Sequence, residues 1–318
     1  MCKNAGKTTV LNALIHECAK HGEILGLTTA GRDGETSDLV TNTKKPEIFI
    51  YENTLAATSQ QALGFGTISR EIAGTTGIPT PMGEVILVRA RSDGFIQLAG
   101  PSITGQLISV RDMLFDLGAD RVFIDGALSR KSLAMPAVSS GAVLCTGASY
   151  SPDMYKTVYD TSYAVKLLGL HKTERTLPQI TEKYTLIREN EVFSFAELRD
   201  AVGCIRTGGI EAIAIKGGVT DSMIKELITA GRALSGIELL AEDASRLLLS
   251  RNSAEKLSRA GIAMHVKTGI KLIAVTVNPF SAYGNHYYKK AFTDALKDEI
   301  PRNIPILNMF DLPEETEC

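Results

Sequence analysis

Residues 3–9, Lys3-Asn4-Ala5-Gly6-Lys7-Thr8-Thr9, set a glycine, a lysine and two hydroxyls directly ahead of a run with apolar residues at Val10, Leu11, Leu14 and Ile15. That spacing lays one face of a helix on a core, so a helix is expected to begin at Gly6 or Lys7. The order Gly-Lys-Thr closes the pattern G-x-x-x-x-G-K-[ST], in which backbone N–H groups point at one phosphate, the lysine reaches the outer phosphates and the hydroxyl holds Mg²⁺. A helix starting there also aims the positive end of its dipole at the anion. The first glycine of the pattern falls on Met1, and the buried strand that delivers a chain into such a loop is expected ahead of residue 1. The competing reading is an ordinary glycine-capped helix start on a surface loop.

Two other segments carry residue types that a phosphate and metal site needs. Strand-like Glu23 to Thr29 empties into Ala30-Gly31-Arg32-Asp33-Gly34-Glu35. In open α/β sheets ligands bind beyond the carboxyl ends of strands, which places Arg32, Asp33 and Glu35 to face phosphates and their metal; a charged turn in water is the alternative. The apolar run Arg121-Val122-Phe123-Ile124-Asp125 ends in a carboxylate, the layout in which an acid at a strand's end meets Mg²⁺ or its water. Such a run also occurs as a plain strand ending in a turn. Arg130 and Lys131 follow, either within reach of phosphate or as a solvated basic turn.

Length and patterning set the organisation. With 318 residues, 44% of them hydrophobic, the chain suggests two domains at ~100–200 residues each. Helical and strand patterns alternate, which argues for an α/β sheet with helices packed on it. Strands are expected at 48–51, 67–69, 85–88, 95–98 and 142–147, and helices from Leu55 to Leu63, from an N-cap at Ser102 to Leu117, and from Asp153 to Leu168. The Gly/Pro-rich stretch 74–83 is either a loop over the site or a hairpin connection. Leu177-Pro178 and the polar residues up to Lys183 read as a linker, giving domains at 1–175 and 184–318. In the second domain, strands are expected at 211–216, 237–243, 261–266 and 271–277, with helices from Thr220 to Thr229 and from Ser253 to Arg259. Asn278 to Tyr288 is the densest group of polar and aromatic side chains, suited to a planar ligand or a protein partner, or else lining a core.

Several functions are disfavoured. A formal charge of −2 gives no global attraction to nucleic acid or anionic membrane. No apolar stretch reaches the ~18 residues of a membrane helix and the start is no signal peptide, so a soluble cytoplasmic protein is expected. Five cysteines without a C-x-x-C pair read as reduced thiols. Ser149, Ser151 and Ser281 lack the G-x-S-x-G elbow of a nucleophilic hydrolase.

Lys3 to Thr9, together with Gly31-Arg32-Asp33-Gly34-Glu35, resembles the P-loop NTPases that include dethiobiotin synthetase and the molybdopterin-guanine dinucleotide adaptor protein. The resemblance covers the first half of the chain. It implies a mainly parallel sheet flanked by helices, followed by a second α/β domain for partner or substrate. It carries Lys3, Asn4, Ala5, Gly6, Lys7, Thr8 and Thr9 to nucleotide binding, Thr8, Asp33 and Asp125 to the metal shell, and Lys7 and Asp125 to catalysis, with ATP and Mg²⁺ bound. As a whole the chain resembles the ATPase subunits of the reactivases that accompany lysine 5,6-aminomutase. That implies ATP hydrolysis helping a partner to exchange damaged cobalamin. The partner would be the cobalamin-dependent aminomutase or a second reactivase subunit, and cobalamin and pyridoxal phosphate would belong to it. The competing classes are an ATP-dependent small-molecule ligase or kinase of the dethiobiotin-synthetase type and a pure binding or scaffold protein, and self-association is left open.

Overall fold

The computed structural model describes residues 4–31, 47–126, 134–189, 191–308 and 311. The chain falls into two compact units, one formed by Met1–Leu133, Val143–Thr161 and Ile273–Cys318, the other by Ala134–Ala142 and Ser162–Leu272.

The first unit opens with α1 (Lys7–Lys20), which buries Val10, Leu11, Ile15 and Cys18, and β1 (Leu25–Thr29), buried at every position. Then come β2 (Ile48–Ile50), β3 (Leu55–Ser59), α2 (Gln60–Leu63), β4 (Arg70–Thr80), β5 (Gly83–Ala90) and β6 (Gly94–Ile96). They are followed by α3 (Thr104–Asp116), β7 (Arg121–Asp125), β8 (Ala142–Gly147) and α4 (Met154–Leu168), whose residues from Ser162 onward belong to the second unit. A five-stranded sheet runs β4-β5-β3-β1-β7. Its β3, β1 and β7 are parallel, while β5 and β4 are antiparallel additions, so the sheet is mixed. Successive side chains of a strand point to opposite faces. Accordingly Ala56, Ile86 and Val88 join Leu11 and Ile15 of α1, and Leu55, Ala57, Val85 and Leu87 join Val110 and Leu114 of α3. One helix therefore covers each face.

Three local expectations need correction. Residues 55–63 are not one helix: β3 occupies the first five and only Gln60–Leu63 is helical, because residues 55–59 all pair with β5, Leu55 and Ala56 pair with β1 as well, and all five are buried. No strand covers 67–69, and the hairpin partner begins at Arg70. Residues 74–80 continue that strand, with register shifts at Ile72/Gly74 and Thr75/Pro79, where an edge strand tolerates Gly and Pro. Ser102 does not cap α3, whose N-cap is Ile103 without a side-chain bond.

The second unit holds β9 (Tyr184–Arg188), β10 (Glu191–Phe195), α5 (Leu198–Ile205), β11 (Ala212–Ile215), β12 (Val219–Thr220) and α6 (Asp221–Leu227). It continues with β13 (Glu238–Ala241), β14 (Leu247–Leu248), α7 (Arg251–Arg259) and β15 (Ala263–Val266). Its sheet runs β10-β9-β11-β13-β15, an antiparallel hairpin on three parallel strands. Leu186, Ile205, Ile213, Ile224, Leu239 and Leu257 share its core. The chain then returns through β16 (Leu272–Asn278), α8 (Lys289–Glu299) and β17 (Ile306–Asn308). These strands form a sheet in the order β17-β16-β8. That pairing draws residues 273–318 into the first unit and replaces the linear division at 175–184.

At the amino ends of β1 and β7, Arg121 grips Glu23 with a two-pronged contact, Nε to Oε2 at 2.5 Å and Nη2 to Oε1 at 2.8 Å. The guanidinium holds the Glu23 carboxyl down to about 2 against its ordinary 4.5. A carboxyl depressed by folding stabilises above its unfolded value, and that contribution fades as pH falls from about 4.5 towards 2. Both side chains are solvated, so the stabilisation is small. Arg121→Gln should bring the Glu23 titration, followed by NMR, back towards 4.5 with little change in melting temperature at pH 7.

Candidate functional site

The turn before α1 is built from two left-handed residues, Asn4 (φ 59°) and Gly6 (φ 86°). Glycine adopts that conformation freely, and asparagine is among the few others that do. Val10 N donates to Gly6 O at 3.0 Å and closes the first helical turn. The N-cap residue, Gly6, has no side chain to cap this end and the first turn holds no acid, so the positive dipole end of α1 suits an anion. Ala5 is fully buried and packs with Val10 and Cys145, with Val143 against them. The turn is thereby anchored on β8. Asn4 Nδ2 is buried and has no hydrogen-bond partner among the described residues.

Asp125 is the last residue of β7, in register with Thr29 of β1. Its carbonyl accepts from Ala30 N and from Thr29 Oγ1, both at 3.0 Å, and its Oδ1 accepts from Gly126 N at 2.9 Å. Burial raises the thiol of Cys145 on β8, and a hydrogen bond with Thr276 opposes the rise. Thr8 is half-buried on the first turn of α1 and Thr9 is exposed. Lys3, Arg32, Asp33, Glu35, Arg130 and Lys131 lie outside the described residues.

Sequence reasoning passed over the support for this arrangement. Gly31 N donates to Pro101 O at 3.0 Å and Gly100 N to Gly31 O at 3.1 Å, clamping the exit of β1. The backbones approach so closely that a Cβ on Gly100 would stand 2.0 Å from Thr29 O. The only sequence signal was the Gly100-Pro101 pair itself, which marks a break without naming its neighbour.

The polar and aromatic segment 278–288 packs on residues 148–157. Asn285 Nδ2 donates to Ala148 O at 3.0 Å, Ala282 N to Ser149 Oγ at 3.3 Å, and the Tyr287 and Thr157 hydroxyls meet at 2.8 Å. Tyr287 is buried edge-on to Phe292, whereas Phe280, Tyr283 and Tyr288 are exposed. Part of the segment therefore lines the core and part faces outward. Separately, the second unit has an open cavity of about 510 Å³ between residues 171–175, Glu238 and His265. Arg175 there binds Glu211 at 2.6 Å and Glu238 at 3.2 Å, a polar network that contains none of the expected site residues.

Among the described residues no group of three or more His, Cys, Asp or Glu side chains suits a metal ion, and no helix is long and apolar enough to cross a membrane. Of the residues expected on the metal side, Thr8 and Asp125 lie among the described ones and Asp33 does not. No family model matches the chain, and no curated protein or solved structure matches it.

Proposed function

We propose that the protein binds a magnesium nucleoside triphosphate, ATP, at the amino-terminal turn of α1 and hydrolyses it. The observation that carries this reading is the left-handed Asn4 and Gly6 turn opening α1 at Lys7 and Thr8, packed through Ala5 against Cys145 of β8. Backbone N–H groups and Lys7 hold the phosphate tail, where fixed dipoles and charge need no reorganisation as the reaction proceeds. Thr8 and Asp125 supply the metal-side oxygens, and the family resemblance adds Asp33. Mg²⁺, when bound, offsets charge on the phosphate oxygens. Water is the default acceptor.

The resemblance to the reactivase ATPases supplies the purpose: hydrolysis serves a cobalamin-dependent aminomutase, directly or through a second subunit, and rises when that partner is present. The free thiols at Cys18, Cys145 and Cys204 fit a reducing compartment, the cytoplasm. Calorimetric titration with Mg-ATP tests the binding, and absence of a heat signal removes the function. Asp125→Asn sharpens the test. Its backbone carbonyl accepts from Ala30 N and Thr29 Oγ1, bonds the substitution leaves in place, and Asn retains an Oδ1 acceptor for Gly126 N, so folding should survive. The Mg²⁺ needed for half-maximal phosphate release should nevertheless rise at least ~10-fold, the effect of ~1.4 kcal/mol. An unchanged Mg²⁺ dependence assigns the metal to other groups.

A further inference from the structure

The sheet of the second unit has two unlike faces. Ile213, Leu239 and Ala241 point into the core shared with Ile205, Ile224 and Leu257 of the helices, so the alternating Ala212 and Leu240 face the other way and meet Leu177 and Ile180. Glu238 and His265 lie on this second face, Glu238 in register with Ala212 and His265 with Leu240. Residues 171–175 run beside β15: Val266 N donates to His171 O at 3.1 Å, Thr173 N donates to Val266 O at 2.9 Å, and Lys172 bridges Val266 in parallel. Alternation then puts His171, Thr173 and Arg175 on the face of Glu238 and His265, where the cavity of about 510 Å³ opens. Small-molecule sites span ~300–1,000 Å³.

The groups around Glu238 are close without being well bonded. Arg175 Nε stands 3.2 Å from Oε1 and His265 Nδ1 3.6 Å from Oε2, yet both nitrogens are buried with no hydrogen-bond partner among the described residues. Thr173 Oγ1 reaches Oε2 only at 3.5 Å. Polar contacts of that length invite a bridging group. Between an N–H and a carboxylate oxygen the bridge must accept from one and donate to the other, and a hydroxyl does both. Charge disfavours an ion, because Lys172 and Arg175 are offset by Glu174 and Glu238 at the cavity wall, and Arg175 is also held by Glu211 at 2.6 Å. Arg175, Glu238 and His265 keep 33%, 25% and 30% of their side-chain surface exposed, so a small ligand can reach them.

We propose that this cavity binds a neutral polyhydroxylated molecule of the sugar or polyol class, whose adjacent hydroxyls bridge the Glu238 carboxylate to His265 and Arg175. The two carboxylate oxygens lie side by side and match a pair of hydroxyls on neighbouring carbons. Glu211 and Glu238 fix the guanidinium from two sides, so little side-chain freedom remains to be lost on binding. Every residue of the site belongs to the second unit, and the inference holds whether or not the first unit binds a nucleotide.

The test titrates the full chain, without nucleotide, with D-ribose, D-glucose and glycerol while the histidine ring protons are followed by NMR. At least one of the three should move His171 and His265 with half-saturation at ~10 mM or below, leaving His16, His21 and His286 of the first unit in place. His265→Phe keeps a ring and removes its nitrogens, and Glu238→Gln keeps the shape and removes the charge that strengthens the bonds. Each should weaken binding at least ~10-fold, read at the His171 ring in protein whose melting curve shows it folded. Inorganic phosphate and methylammonium serve as the ionic probes. The proposal is overturned by the absence of a shift with all three neutral probes, by phosphate or methylammonium binding at these two histidines in their place, or by unchanged affinity in either folded variant.

Discussion

Lys7→Ala protein should fold normally and bind Mg-ATP at least ~100-fold more weakly than the parent, a loss of about 2.7 kcal/mol. Lys7 is the first residue of α1 and only half-buried, and alanine is the best helix former, so melting should barely move. The loss falls on binding because an ammonium contributes charge-assisted hydrogen bonds to phosphate that alanine cannot replace. Calorimetry and phosphate release, each compared with the melting curve, separate the two effects. Unchanged affinity in a folded Lys7→Ala protein would remove the proposed phosphate site.

Gly100→Ala should act in the opposite manner, through stability. The added methyl carbon would stand 2.0 Å from Thr29 O and 3.1 Å from the Thr29 carbonyl carbon. Both are backbone atoms, which cannot swing aside as a flexible side chain can. The strand behind them is held by the Asp125 register and the Gly31 clamp. Overpacking of this kind costs about 3 kcal/mol or more, read as a lower denaturant midpoint. A melting curve within error of the parent would show that the exit of β1 yields, contrary to the packing described. Gly22→Ala is a useful contrast. A Cβ there meets nothing within 4 Å and only the left-handed φ of 70° is strained, so a smaller loss is expected.

What the sequence made legible follows from how local each signal was. α1, β1, β7, β8 and α4 were visible because each carries a regular apolar pattern in its sequence. β3 was misread as helix because Leu55-Ala56-Ala57-Thr58-Ser59 has helix-compatible composition, and pairing with β5 and β1 overrides that preference. The hairpin β9 and β10 went unread although its strands carry aromatic and branched residues. Its turn uses Glu189 at φ 47° in place of the Asn-Gly or Asp-Gly that normally announces such a turn. At the site, Gly6-Lys7-Thr8 and Asp125 were each visible alone. Cys145, Thr29 and Gly100 were not, since their importance comes from neighbours dozens of residues away.

The return of β16 and β17 to the sheet edge at β8 has a consequence for how the polypeptide matures. On a ribosome the chain emerges from its amino end, and domains commonly fold as they appear. Here the half containing Lys7 and Asp125 must wait, because its closing strands are translated after the whole of residues 162–272. The intervening unit has its own sheet and core and can be complete first. Contacts of such long sequence separation slow folding, so the nascent amino-terminal half carries exposed apolar strands for most of its synthesis, the interval in which a chaperone has the most to protect.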